Sequence, residues 1–301
     1  MKLNHVIVVF KKPSMLHGTG GKSALPRLKR VSPDLFRRRL LMQKSHVKTI
    51  EQVQKILKEL EIPHEVIERK KLESPSNPPS PPFLKGGAGK LQASLIITIG
   101  GDGTVLAASH VAGNIPILGV NSMPRTSVGF FCAANASTFK QKITEIKSNR
   151  LRFTSLPLLE VSIDGKRLPY LPLNDILFVA SSPAETVQYM IQVGQQKERQ
   201  RGSGVWIAAG PGSTAGICSA GGKVTTVTSR RIQYLARELY PIPGTVYRFR
   251  KGFIPPGKSI KITSEMSDGM AFLDGSKLMY PVPRGSTLAV RIAHQRLRIF
   301  L

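Results

Sequence analysis

Acidic, aromatic and cysteine residues are all scarce in this chain, and each shortage argues against a class of protein. There are 18 Asp and Glu against 44 Lys and Arg, so the formal charge is +26 and anions are the expected ligands. The basic residues occur along the whole chain instead of in one stripe with interleaved aromatic residues, which is unlike a dedicated nucleic-acid reader. Cys132 and Cys218 have neither a metal-site nor a redox spacing, so both are predicted to be reduced, buried thiols.

Long apolar runs are also missing, since none approaches the roughly 20 residues that a membrane-spanning helix needs. The chain instead enters a short apolar, strand-like run at residues 3–10, so we expect no cleaved targeting peptide. We therefore expect no membrane partner and a cytoplasmic location.

The first half of the chain has the pattern of an α/β domain. Hydrophobic residues make up 41% of the 301 positions, enough for one large core or two ordinary ones. After the first strand, residues 47–61 have apolar positions at helical spacing. Buried-strand patterns at 93–99 and 115–120 then flank a helical stretch at 105–113. This order predicts a Rossmann-like domain over residues 1–150.

The second half has a different pattern. From residue 151, short runs of period two are broken by turn pairs such as Asp164-Gly165 and Asp274-Gly275. Such spacing predicts an antiparallel all-β domain over residues 151–284. Trp206 falls in one apolar strand and is expected in the core, whereas residues 229–238 look helix-like, with arginines that either reach a phosphate or form a solvated face.

Two irregular segments interrupt the first half. HGTGGKS, at residues 17–23, invites interpretation as a P-loop, but the glycine that such a loop requires is Leu16, so a flexible basic loop is favoured. Residues 73–90 are rich in proline and glycine and are predicted to form a long loop. The sequence assigns no role to this loop or to the basic stretch at residues 11–45.

The sequence GGDGT, at residues 100–104, lies between a buried strand and a helix. Gly101 and Gly103 would let backbone amides approach phosphate oxygens, and the helix N-terminus adds positive potential. A carboxylate at Asp102 would repel phosphate in a passive cradle, so a catalytic role that takes a proton or binds a metal is physically motivated. The alternative is an ordinary glycine-rich turn in which Asp102 caps the helix.

A second cluster of small and polar residues lies in the second half of the chain. GSTA at residues 212–215 and SAGG at residues 219–222 combine hydroxyls with small side chains, which would let a flat or phosphorylated ligand approach the backbone. A plain Gly/Ser linker is the alternative, but it gives no purpose to the apolar Ile217 and Cys218 between them.

GGDGT, the Asn174-Asp175 pair in LNDILF, and GSTA…SAGG occur in that order, and together they resemble the motifs of the NAD kinase family. GGDGT alone is shared with diacylglycerol and sphingosine kinases, whereas the GSTA…SAGG continuation is more specific. The resemblance implies an α/β domain, a β-rich domain, a last segment at residues 285–301 that returns to the first domain, and a site between the domains. It also implies transfer of phosphate from ATP or polyphosphate to the adenosine 2′-hydroxyl of NAD or NADH.

The resemblance also assigns roles to individual residues. Asp102 matches the family's catalytic base. Residues that match its phosphate- and nucleotide-binding positions are Gly101, Gly103, Thr104 and Asn121. Residues that match its dinucleotide-binding positions are Asn174, Asp175, Ser203, Ser213, Thr214, Ala215 and Ser219.

Departures from the common family pattern point to one branch. Ser203 stands where many members have an aspartate nine residues before the GSTA glycine, and Gly216 replaces the usual tyrosine. With GVNSMPRTSVGFF at residues 119–131, these forms look more like the plant NADH kinase and mitochondrial NAD kinase branch. One carboxylate fewer near the acceptor predicts activity with NADH as well as NAD.

Two other function classes explain less. A lipid kinase accounts for GGDGT but not for GSTA…SAGG, and a nucleic-acid-binding protein accounts for the charge alone. Mg²⁺ is expected to arrive with ATP, because phosphoryl transfer requires neutralisation of polyphosphate charge, and no protein metal cage is expected. The resemblance further implies a homo-oligomer, a dimer or a tetramer.

Overall fold

The computed structural model describes residues 1–12, 30, 32–72, 93–241 and 243–301. HGTGGKS and the whole proline-rich stretch at residues 73–90 therefore lie outside the described residues. The chain divides into two compact units. The described parts of the first are residues 1–12, 30, 32–72, 93–154 and 298–301, and those of the second are residues 155–241 and 243–297.

The first unit is a parallel sheet with helices. Its strands and helices are β1 Val6–Phe10, α1 Pro33–Glu59, β2 His64–Glu68, β3 Leu95–Gly100, α2 Asp102–Ser109, β4 Ile117–Asn121, β5 Ala134–Asn135 and α3 Phe139–Lys147. The strand order is β2-β1-β3-β4-β5, all parallel, and the chain's last residues add a further parallel pair of Ile299 with Ile117. β1, β3 and β4 are almost wholly buried, as expected for central parallel strands.

Helix α1 is longer than the sequence pattern indicated. It spans 27 residues, and its buried positions, His46, Thr49, Val53, Ile56 and Leu57, all lie in its second half. The first half also contains apolar residues, but each of them is exposed or half-buried: Leu35, Phe36, Leu40, Leu41 and Met42. The buried face of the helix therefore begins only at His46. Pro33 at the start of the helix has the fixed φ that suits a first helical position.

The second unit consists almost entirely of antiparallel strands. They are β6 Thr154–Ile163, β7 Lys166–Arg167, β8 Asp175–Ala180, β9 Val187–Val193, β10 Gln196–Gly202, β11 Gly204–Ala208, β12 Ile232–Arg237, β13 Lys251–Ile254, β14 Ser259–Ser264, β15 Gly269–Leu273, β16 Leu278–Pro281 and β17 Thr287–Phe300. One sheet has the order β13-β12-β11-β8-β15-β16, and a second group pairs in the order β10-β9-β14-β17. A short helix, α4 Gly216–Ser219, follows the 3-10 turn Pro211–Thr214.

The predicted fold class, an α/β unit followed by an antiparallel β unit, is confirmed. One local prediction was wrong: the helix-like residues 229–238 contain β12, which pairs with β11 and β13. Burial of Ile232 and Tyr234 in the sheet core outweighs the local pattern. Of the three arginines there, Arg230 is exposed, Arg231 lies over the Phe253 ring, and Arg237 Nη1 donates to the Ser203 carbonyl.

Among the described residues, no helix is both long enough and apolar enough to cross a membrane.

Candidate active site

A cavity of about 660 Å³ lies at the carboxyl ends of the parallel strands of the first unit. Parallel α/β sheets bind ligands at this edge, where strand ends and helix starts converge. Four residues that the sequence assigned to a site line it: Gly101, Asp102, Gly103 and Thr104. The lining residues that the sequence did not assign include five with ionisable side chains: Lys11, Lys12, Arg39, His46 and Arg69.

The GGDGT turn joins β3 directly to α2. Gly100 ends the strand with φ +157°, and a side chain there would overlap Thr104 Oγ1. Thr104 is only 2% exposed, and its N–H donates to the Gly101 carbonyl at 2.9 Å. Thr104 therefore shapes the turn from beneath, while Gly101 and Gly103 form its surface towards the cavity.

The Asp102 carboxylate is fixed by two backbone donors. The N–H of Phe130 donates to Oδ2 at 3.0 Å and the N–H of Phe131 donates to Oδ1 at 2.8 Å. Helix α2 has Gly101 as its N-cap and no side-chain cap hydrogen bond, so Asp102 does not cap the helix in the way that the alternative interpretation required. Its negative charge still lies in the first helical turn, where the helix dipole favours it.

The segment at residues 122–131, here called the Asp102 loop, depends on Asn121. Asn121 Oδ1 accepts from the N–H of Met123 at 2.9 Å, and its Nδ2 donates to the Ser127 carbonyl at 3.2 Å. Gly129 has φ +60°, and a side chain there would overlap the Asn121 amide. Asn121 is buried, so its amide serves the loop, and its predicted contact with a nucleotide stays a prediction.

Four cationic residues, Lys11, Lys12, Arg39 and Arg69, line the same cavity as Asp102, which carries the one carboxylate among the described residues lining it. The Arg69 guanidinium lies beside the GGDGT turn, 3.9 Å from where a Gly103 side chain would begin. This excess of positive charge suits a polyphosphate. Lys11 and Lys12 follow β1, and Arg69 follows β2, so their position after parallel strands was a signal in the sequence that could have identified them.

His46 is 6% exposed and is the buried member of the cavity wall on α1. Its Nδ1 lies 2.7 Å from Ser122 Oγ, and its Nε2 lies 2.6 Å from the Lys11 carbonyl oxygen. Burial lowers the pKa of His46, against the hydrogen bond to Lys11, which raises it. In the sequence, His46 is a single histidine on a helix face, and nothing distinguishes it from a packed residue.

The second cluster lies in the other unit, where β8 and β11 are neighbouring antiparallel strands that pair Asp175 with Ala208. The turn Pro211–Thr214 follows β11 and comes back over the start of β8. A side chain at Gly212 would overlap the Asn174 carbonyl, so glycine is required for the two motifs to meet. The structure thus brings the Asn174-Asp175 pair and the GSTA sequence together.

Predicted contacts within this cluster differ in accessibility. Thr214 and Ser219 are exposed and Ala215 is half-buried. Ser213 is 1% exposed, and its Oγ donates to the Gly210 carbonyl at 2.7 Å and accepts from the N–H of Thr225 at 3.1 Å, so its hydroxyl holds the turn. Ser203 precedes β11, at the opposite end of that strand from the GSTA turn, and the chain does not bring it into the cluster.

Trp206 explains the glycine that replaces a tyrosine after GSTA. The indole ring lies against Gly216, where an added side chain would begin 2.8 Å from the ring. Trp206 is half-buried and packs on the small core of Ala208, Ile217 and Leu235.

The two thiols are free and half-buried, whereas the sequence predicted that both would be buried. Cys218 lies in α4, and Cys132 follows Phe131. Burial, and then the charge of Asp102, raises the pKa of Cys132 to about 12.

Asp274 is a positioning residue that the sequence did not reveal. Its carboxylate accepts from the N–H groups of Leu173 at 2.8 Å, Asn174 at 2.7 Å and Asp175 at 3.2 Å. These three bonds fix the backbone that presents the Asn174-Asp175 pair. In the sequence, Asp274-Gly275 is an ordinary turn pair, because a contact 100 residues distant leaves no local signal.

Asp175 is 7% exposed, and burial, followed by the nearby charge of Asp274, raises its pKa from 3.8 to about 7. The hydrogen bond from the Gly216 N–H opposes that shift. The carboxyl of Asp175 is therefore partly protonated at neutral pH until a ligand stabilises its charge.

This raised pKa makes the stability of the ligand-free protein depend on pH. A carboxyl with a raised folded-state pKa contributes stability that is fully present below its unfolded value and is lost as the pH rises through about 7. The free energy of unfolding of the wild type should therefore fall between about pH 4 and pH 7, by at most about 1.4 kcal/mol per pH unit from this group, and level off above that range. Denaturant titrations should give a flatter dependence for Asp175→Asn, and equal slopes for both proteins would contradict the assignment.

The fold and the two clusters define a nucleotide-binding enzyme of the phosphotransferase class. Its first unit has a carboxylate in a glycine-rich turn that lines a cavity together with four cationic residues. Its second unit has a polar, small-residue turn beside a buried carboxyl group.

Comparison with known proteins makes that class specific. Residues 36–150 match the model of the ATP-NAD kinase N-terminal domain. The chain is 31% identical over 229 residues to the probable NADH kinase of Oryza sativa subsp. japonica, covering 69% of this chain and 70% of that protein. It is 27% identical to the NADH kinase of Arabidopsis thaliana over 69% of this chain and 72% of that one. The chain therefore belongs to the NAD kinase family, and its resemblance to the plant NADH kinases is confirmed.

Solved structures share the fold. The yeast NADH kinase complexed with NADH has a TM-score of 0.70 at 17% identity and covers 100% of this chain and 84% of its own. An NAD kinase from Archaeoglobus fulgidus in complex with ATP has a TM-score of 0.65 at 18% identity, and the match covers 99% of this chain and 93% of that one.

Proposed function

We propose that the protein transfers the γ-phosphoryl group of ATP to the 2′-hydroxyl of the adenosine ribose of NAD or NADH. Family membership supports the reaction class, and one observation in this chain supports it most: the Asp102 carboxylate, fixed by two N–H donors, lies in a cavity with four cationic residues. A lipid kinase explanation gives no purpose to the cluster around Asp175 and the GSTA turn.

The proposed chemistry uses Asp102 as the general base. Its carboxylate accepts the proton of the ribose 2′-hydroxyl while that oxygen forms a bond to the γ-phosphorus. The bond from the γ-phosphorus to the oxygen bridging it to the β-phosphorus breaks, and ADP leaves with the electron pair. The backbone of Gly101 and Gly103, together with the start of α2, stabilises negative charge on the phosphates.

Mg²⁺ is proposed to accompany the donor. No group of three or more His, Cys, Asp or Glu side chains in the described residues could hold a metal ion. Asp102 is the available carboxylate in the cavity, so the ion would be held chiefly by phosphate oxygens, as is usual for Mg²⁺ with nucleotides. Bound there, it would reduce the charge repulsion that opposes attack on the phosphate.

The acceptor is proposed to contact the second cluster. Asp175 can accept hydrogen bonds from ribose hydroxyls, and Thr214, Ala215 and Ser219 are accessible beside it. Trp206 is the single tryptophan of the chain and lies against Gly216, so its fluorescence should report binding in this cluster.

The Asp102 assignment is tested by Asp102→Asn. The variant should lose turnover by roughly 10² to 10⁴, the usual range for a positioned general base, while still binding nucleotides. NADP(H) formation would be measured in an assay coupled to an NADP-specific dehydrogenase, with the exposed Asp34→Asn as the matched control. Turnover near that of the wild type in a folded Asp102→Asn protein would refute the role.

The donor side is tested with neighbouring arginines. Arg39 lines the cavity, and Arg38, the preceding residue of α1, is exposed and does not. Arg39→Ala should raise the KM for ATP roughly tenfold, the effect of one lost charge-assisted contact of about 1.4 kcal/mol, and leave the KM for NAD nearly unchanged. Arg38→Ala should change neither constant, and equal effects of the two variants would show that only overall charge matters.

Acceptor preference is tested at Ser203. A carboxylate near the oxidised nicotinamide would favour its positive charge by about 1 kcal/mol at a partly solvated separation. Ser203→Asp should therefore shift the ratio of kcat/KM towards NAD by up to about tenfold, from a wild type that also uses NADH. Because Ser203 lies apart from the GSTA turn in this chain, an unchanged ratio would assign the serine to packing.

Two broader expectations are also proposed. The free thiols Cys132 and Cys218 are typical of a reducing compartment and support a cytoplasmic location. Assembly as a homo-oligomer, a dimer or a tetramer, is proposed from the family resemblance and is checked by light scattering on the purified protein.

A further inference from the structure

His46 connects two parts of the cavity wall that are distant in sequence. On one side its Nε2 lies 2.6 Å from the carbonyl oxygen of Lys11, just after β1. On the other side its Nδ1 lies 2.7 Å from Oγ of Ser122, the first residue of the Asp102 loop. The imidazole itself is 6% exposed, so both bonds are shielded from water.

The chemistry of the two partners determines the tautomer of the ring. A carbonyl oxygen can only accept, so Nε2 carries the hydrogen that is donated to Lys11. In the neutral ring Nδ1 then accepts from the Ser122 hydroxyl. Burial lowers the pKa of His46, which favours this neutral form. The ring is thus a directional link, with one donor and one acceptor.

The hydrogen bond from His46 to the Lys11 carbonyl affects the cationic wall of the cavity, which is proposed to bind the phosphates of ATP. It fixes the backbone at the end of β1, from which the side chains of Lys11 and Lys12 reach the cavity wall. Without that bond, the two ammonium groups would have no anchor from α1 at this point, and their positions relative to the GGDGT turn would be less defined.

The Ser122 bond bears on the base. The N–H of Ser122 donates to the Gly100 carbonyl at 3.1 Å, and Ser45 Oγ donates to the Ser122 carbonyl at 2.9 Å. The far end of the same loop supplies the N–H groups of Phe130 and Phe131 that orient the Asp102 carboxylate. Anchoring the start of the Asp102 loop therefore restricts the positions of the Phe130 and Phe131 N–H groups at its end.

We infer that His46 is a positioning residue that aligns the cationic side of the cavity with the Asp102 side. The inference rests on the proposed function, because the alignment of ATP with Asp102 matters only if the protein transfers a phosphoryl group from ATP to a hydroxyl that Asp102 deprotonates. Positioning of this kind has large effects, since a displacement of about 1 Å at a reacting centre can reduce the rate by roughly 10².

Two conservative substitutions separate the two bonds. The amide of glutamine reaches the position of Nε2, so His46→Gln should keep the Lys11 bond and lose the Ser122 bond. The amide of asparagine reaches the position of Nδ1, so His46→Asn should keep the Ser122 bond and lose the Lys11 bond. We expect His46→Gln to lower kcat about tenfold or more with little change in the KM for ATP, and His46→Asn to raise that KM more than it lowers kcat.

Ser122→Ala provides an independent test of the same link. It should reproduce the kcat loss of His46→Gln, and the double variant should lose little more than either single one, because both remove one bond. His64→Gln is the matched control, since His64 bonds to the Ile62 carbonyl and does not line the cavity. All assays are run below the unfolding transition of the least stable variant.

Several outcomes would overturn the inference. One is a set of variants that are less stable but unchanged in kcat and KM while folded, which would make His46 structural only. Another is an equal effect of His46→Gln and His46→Asn on both constants.

Failure of the proposed function is distinguished by binding. If the wild type phosphorylates neither NAD nor NADH, calorimetry with a non-hydrolysable ATP analogue still tests His46. The inference then requires weaker binding by His46→Asn than by His46→Gln, and equal affinities would overturn it.

Discussion

The site depends on how the Asp102 carboxylate is oriented. A carboxylate in a glycine-rich turn would be free to rotate towards solvent or to cap α2, and neither position suits proton transfer. Here the N–H groups of Phe130 and Phe131 hold both oxygens, and the loop that supplies them is itself held by Asn121 and Ser122. The orientation of this one carboxyl group therefore depends on the ten residues of the Asp102 loop and, through the contact of His46 with Ser122, on one face of α1.

The second unit uses the same interaction for a different purpose. Asp274 accepts three backbone N–H groups and thereby presents Asp175, whose own carboxyl is left buried beside it. Glu198 likewise accepts from the N–H groups of Arg248 and Phe249. Since the chain has 18 acidic residues against 44 basic ones, its excess of positive charge is expected to attract anions.

The sequence was sufficient for the parts of the fold with strong local patterns. Buried apolar runs around GGDGT predicted β3, α2 and β4, and alternation predicted most of the antiparallel unit. The first half of α1 was missed because its apolar residues are exposed or half-buried, so it does not share the buried face that made the second half recognisable. β12 was missed because pairing with two neighbours decides its conformation, and such pairing is not a local property. Arg39, His46 and Asp274 act through contacts distant in sequence, so no motif contains them.

Motif membership and ligand contact are separate properties. Thr104, Asn121 and Ser213 belong to the motifs that predicted the site, yet each is buried and its polar groups bond to the protein's own backbone or support a glycine turn. Gly101, Gly103 and Thr214 remain at the surface of the same turns. Substituting a buried motif residue is therefore expected to act through the shape of a turn, whereas substituting an exposed one acts on the ligand directly. The hydrogen-bond partners of a motif residue, which the sequence does not contain, decide between these two roles.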